Sequence, residues 1–66
     1  MQFSLRALRV NANLSRTQAA NAVGVDVSTI SRWESGKSYP DLSQVKILCE
    51  IYHCEPNDIF VPIEQT

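Results

Sequence analysis

The chain has 66 residues, 44% of them hydrophobic and 20% charged, with a formal net charge of −1. That length supports one small domain over residues 1–66 with a single modest core, and leaves little room for a second domain. The apolar runs are too short to cross a bilayer. The opening MQFSLRALRV has no basic region followed by an apolar stretch, so no secretory leader is read there and a cytoplasmic location is expected.

Five helical segments are predicted in chain order. The first covers about Ser4–Asn11, with Leu5 and Leu8 apolar three positions apart and Arg6 and Arg9 alternating with them. Asn11-Ala12-Asn13 is a helix exit, because asparagine tolerates left-handed backbone. Leu14 then anchors the chain. The second helix, about Arg16–Val23, opens on Ser15-x-x-Gln18, a spacing in which a serine oxygen accepts from a helix-start amide while glutamine reaches back. Gly24 ends that helix without a Cβ clash. Asp26 is a good cap for the third helix, about Val27–Glu34, whose inward pair is Ile30 and Trp33, and Ser35-Gly36 stops it.

Residues 35–40 form a loop, and Pro40 with Asp41 starts the fourth helix. Along it Leu42, Val45, Leu48, Cys49 and Tyr52 fall on one predicted core face. Ile47 and Ile51 are read on the opposite face, which suggests a contact with a second copy of the chain; the alternative is cover from the last helix or the tail. A short fifth helix is expected from Pro56 or Asn57, returning Ile59 and Phe60 to the core. Residues 61–66 contain Pro62 and fit either a small strand or a short tail.

The chemistry-bearing residues are few. Cys49 and Cys54 flank the lone His53. Zinc normally takes four ligands in two separated pairs, and no second pair exists, so the thiols are read as small hydrophobes and no metal or cofactor is expected. The two glycines sit at helix ends, not in a phosphate-cradling loop, and an enzyme is not expected. The charge is uneven. Residues 1–37 carry five basic and two acidic side chains, a balance of +3; residues 38–66 carry one basic and five acidic, a balance of −4. The positive half coincides with the second and third helices, an arrangement that turns them toward phosphate.

Two short helices joined by a tight turn make a helix-turn-helix unit. Leu5-Arg6-x-Leu8-Arg9, Ser15-x-x-Gln18-x-Ala20, Val23-Gly24-Val25, the run Ser28-Thr29-Ile30-Ser31-Arg32-Trp33-Glu34-x-Gly36-Lys37, and Pro40 together resemble the phage-repressor and Cro class of helix-turn-helix domains, also called the xenobiotic-response-element family. Leu48-Cys49 stands where that family usually has Leu-Ala, and Asp58-Ile59-Phe60 resembles the common end of its fifth helix. The likeness covers about residues 4–60. It implies an all-α, compact five-helix bundle that binds double-stranded operator DNA as a homodimer. It also implies that Arg9 and Glu34 form a structural ion pair between the first and third helices.

DNA roles divide accordingly. The free amides at the start of the second helix, with Arg16, Thr17 and Gln18, make a phosphate clamp. Lys37 and the Ser38 backbone match a second phosphate-contacting position of the family. Base reading falls to Val27, Ser28, Thr29, Ser31 and Arg32, with the Arg32 fork suited to guanine or to a phosphate. Asp26 is read as a cap, Trp33 as core. Ile47, Ile51, Ile59, Phe60 and Val61 are the candidate dimer contacts.

The leading expectation is a sequence-specific transcriptional regulator, a repressor before an activator, because occupancy of a promoter excludes polymerase without further contacts. No membrane or small-molecule partner is expected. The alternative is an antitoxin-like interaction module whose DNA binding is secondary, for which the Ile47 and Ile51 patch would serve a toxin as well as a twin.

Overall fold

The computed structural model describes residues 2–60. Their order is β1 (Phe3–Ser4), α1 (Leu5–Asn11), α2 (Arg16–Val23), α3 (Val27–Ser35), α4 (Leu42–Tyr52), a single 3-10 turn at Pro56–Asp58, and β2 (Ile59–Phe60). The side chain of Phe60 and residues 61–66, Val61 included, lie outside the described structure.

Each helix starts on a side-chain oxygen. Ser4, Ser15, Asp26 and Asp41 are the caps of α1 to α4 and accept from Ala7, Gln18, Ser28 and Gln44 respectively. At α2 and α4 the third helical residue, Gln18 or Gln44, returns the bond to the cap amide. Such bonds satisfy amides that a helix start leaves without partners. Three helices stop at left-handed residues: Gly24 (φ 87°), Gly36 (φ 81°) and His53 (φ 54°). After Gly36 the amide of Lys37 donates to the Arg32 carbonyl at 2.9 Å. After His53 the amide of Cys54 likewise reaches back to Cys49 at 3.1 Å. Asn13 takes up the same backbone region in the turn between α1 and α2.

One expectation fails at the C-terminal end. Four α-helices are present among the described residues, and the expected fifth is one 3-10 turn followed by a strand. Pro56 lacks an N–H, and the Asp58 carboxylate closes the turn by accepting from the Glu55 amide at 3.0 Å. The β-branched Ile59 and aromatic Phe60 then favour extended backbone. They pair in parallel with the N-terminus, Phe3 opposite Ile59 and Ser4 opposite Phe60. The bundle is therefore clasped where its two ends meet. Ile59 does return to the core, as a strand residue.

That core comprises Leu5 and Leu8 from α1, Ala19 and Ala20 from α2, Ile30 and Trp33 from α3, Leu48 and Tyr52 from α4, and Ile59. The two alanines are almost fully buried. Their small size lets α2 lie close to its neighbours.

The predicted faces of α4 need correction. Leu42 is 80% exposed, whereas Ile51 packs against the core. Ile51 follows Leu48 by three positions and so stands beside it on the same helix face. With Leu42 outside it, the apolar stripe of α4 turns toward Ile51. Ile59 is buried, whereas Ile47 and Ile51 are both half-buried, and of these two it is Ile51 that packs against the core cluster. No described helix is long and apolar enough to cross a membrane.

Candidate nucleic-acid interface

The turn between α2 and α3 is set by Gly24. Its amide donates to the Ala20 carbonyl at 2.8 Å, and the next amide, of Val25, reaches the same oxygen at 3.0 Å. Val25 is half-buried against the core, which fixes the direction in which the chain leaves α2. Asp26 then takes extended backbone and caps α3. The Ser28 hydroxyl and the Ser28 amide both donate to Asp26 Oδ2. Those two bonds, the hydroxyl first, hold the Asp26 carboxyl below its ordinary range.

This geometry changes the role of Ser28. With its proton committed to Asp26, the hydroxyl offers an outside partner only acceptor capacity. Val27, Ser28, Ser31 and Arg32 are exposed, while Thr29 is half-buried and presents less of its side chain. Ser35, which the sequence placed in the loop, belongs to the last turn of α3 and is also exposed. Its hydroxyl donates back to the Arg32 carbonyl at 3.2 Å. Arg32 is accordingly the one long, charged side chain on this exposed face.

At the mouth of α2, Ser15 Oγ accepts from the Gln18 amide at 3.1 Å and Gln18 Oε1 accepts from the Ser15 amide at 2.8 Å. Gln18 is exposed there, and its amide NH2 is a donor for an anion. Arg16 and Thr17 are exposed beside it. In the loop beyond α3, Lys37 is exposed, and the Ser38 amide makes a long 3.4 Å bond to the Arg32 carbonyl.

An ion cluster ties these parts together. Arg9 Nε donates to Glu34 Oε2 at 2.6 Å, and Arg9 Nη1 donates to the Leu14 carbonyl at 2.8 Å. The Glu34 bond raises the Arg9 pKa further above its ordinary value. Arg16 Nε also donates to Glu34, at Oε1 and 3.3 Å. One carboxylate thus joins α1, the first residue of α2 and the last turn of α3. The Arg16 contact leaves no local signal in the sequence, since the partners are 18 positions apart.

Elsewhere, Cys49 and Cys54 are unpaired thiols, and burial pushes the Cys54 thiol up to about 11. Among the described residues no group of three histidine, cysteine or carboxylate side chains is placed to hold a metal.

Comparison with known proteins adds the family. A family model described as helix-turn-helix matches residues 5–59. The HTH-type transcriptional activator BcrR of Enterococcus faecalis is 37% identical over 54 residues, which cover 79% of this chain. The chain spans only 26% of that relative's length. No solved structure matches it significantly.

Proposed function

The chain belongs to the helix-turn-helix family, and from that membership we propose that it regulates transcription by binding double-stranded DNA, with α3 in the major groove. The observation that carries this reading is the exposed outer face of α3. It is presented by the Gly24 turn and holds Arg32 among short polar side chains, with Arg16 bonded to Glu34 of the same helix and Lys37 just beyond its end. An α-helix fits the major groove, and a guanidinium matches guanine O6 and N7 in a bidentate pair. Arg16, Thr17, Gln18, Lys37 and Ser38 supply phosphate contacts that set orientation. Val27, Thr29, Ser31 and the acceptor side of Ser28 add short-range contacts. With so few long side chains, DNA shape and bridging waters carry part of the selectivity.

In this reading two copies bind a palindromic operator as a homodimer, each domain occupying one half-site, in the cytoplasm. Ile47 is the candidate subunit contact on α4. Occupancy of a promoter gives repression without further contacts. Activation is the second reading, favoured by the likeness to the HTH-type transcriptional activator BcrR of Enterococcus faecalis.

The test is fluorescence anisotropy of the protein with labelled duplexes across a salt series. Binding whose affinity falls steeply with salt supports the reading, because phosphate contacts release counterions. Absence of binding at low salt overturns it.

A further inference from the structure

Resting on that reading, we infer that Glu34, besides bracing Arg9, is a positioning residue for DNA binding: it holds the Arg16 guanidinium by its inner nitrogen and so aims the outer end at a phosphate. The Glu34 side chain is 6% exposed and that of Arg16 is 48% exposed, so the pair runs from the interior to the surface. Arg9 holds Glu34 through Nε to Oε2 at 2.6 Å and through Nη2 to Oε1 at 3.5 Å, so Oε1 is shared by the two guanidiniums. Arg16 meets it through Nε, at 3.3 Å. A guanidinium anchored by Nε keeps its terminal amino groups for an outside anion. It also loses less rotamer freedom when that anion arrives, because the long side chain is already held.

The charges point the same way. Two guanidiniums share one carboxylate, and Arg9 takes the shorter bond. A positive charge is left over on the exposed partner. A phosphate at Arg16 would complete the balance in a setting less screened than open water. Lysine at position 16 could not do this, since one ammonium cannot be gripped at an inner donor and still present a planar fork.

The experiment is a double-mutant cycle, read as affinity for a fluorescein-labelled random-sequence duplex of about two helical turns at low salt. That probe needs no known operator, because such binding comes from phosphate contacts. Glu34→Gln is expected to weaken binding about fivefold in the native chain and to have almost no effect on Arg16→Ala, the coupling expected of directly interacting residues. Thermal melting of each variant tracks the separate effect of Glu34 on the fold. An equal loss in both backgrounds would make Glu34 purely structural and overturn the inference. Tighter binding by Glu34→Gln would also overturn it, by showing that the carboxylate competes with phosphate. If Glu34→Gln does not fold, Arg16→Lys carries the test. It should bind nearly as weakly as Arg16→Ala, and native affinity in Arg16→Lys would overturn the inference. Failure of the native chain to bind any duplex would instead refute the DNA-binding reading itself.

Discussion

Arg9 and Glu34 meet at 2.6 Å with both side chains at least nine-tenths buried, so that the end of α3 is bonded to the body of α1. Removing one partner leaves the other charge buried without its main counterion. Arg9→Ala should therefore cost about 3 kcal/mol, against a total stability of order 3–10 kcal/mol for a chain this short. Urea unfolding measures it. A loss under about 1 kcal/mol would place the pair with exposed ion bridges of little consequence.

The left-handed positions predict opposite signs. Nothing lies within 4 Å of a Cβ added at Gly24, so Gly24→Ala meets only the backbone penalty of φ 87°. That penalty is about 1–2 kcal/mol. At His53, φ 54° and ψ 50° are already borne by a side chain. His53→Gly should raise stability by up to about 1 kcal/mol, the relief being partly offset by a freer unfolded chain. Thermal melts of the two variants that shift in the same direction would contradict this account of both turns.

Alkaline pH should loosen the fold. Burial pushes the Tyr52 hydroxyl up from its ordinary 10.0 to about 12. Between those values the unfolded chain gives up the proton while the folded chain keeps it, so stability declines as pH rises. The stabilisation is complete below pH 10 and should fall by about 2 kcal/mol by pH 12 from this group. The Cys54 thiol, raised from 9.0 to about 11, shifts the same way at slightly lower pH. Tyr52→Phe should flatten the decline when unfolding midpoints are followed across this range. An unchanged slope would assign the alkaline loss to other groups.

Ile47 and Ile51 separate packing from assembly. Ile51 lies against the core, so Ile51→Asp should unfold the domain. Ile47→Asp should leave it folded, with sedimentation shifting from dimer to monomer. A dimer that persists in folded Ile47→Asp would move the subunit contact off this part of α4.

Much of this architecture is legible in the chain because the signals are local. Ser15 and Gly24 bracket α2 at both ends, and Asp26 marks the start of α3 by a bond spanning two residues. What escaped depends on tertiary partners. Ile59 and Phe60 look like the end of a fifth helix until Phe3 and Ser4 arrive beside them as a strand. Leu42 satisfies a helical apolar pattern yet projects into solvent, because periodicity shows a stripe without its centre. Within the candidate interface, residue types and exposed positions could be anticipated on α3. The commitment of the Ser28 proton to Asp26 and the grip of Glu34 on Arg16 required coordinates.

The proposed phosphate contacts predict changes in salt dependence. Lys37→Ala should weaken binding to all duplexes alike and lower the salt slope by about one phosphate. Arg32→Ala should instead relax sequence preference, by about 1–3 kcal/mol at one base pair. Uniform weakening by Arg32→Ala would make that residue a phosphate contact.

The most direct test of the central claim is selection of bound duplexes from a randomised pool over several rounds, repeated at two salt concentrations. Recovery of a palindrome with half-sites about one helical turn apart is the predicted result. Duplexes that bind at low salt but enrich no motif would contradict a sequence-specific regulator that reads DNA through α3.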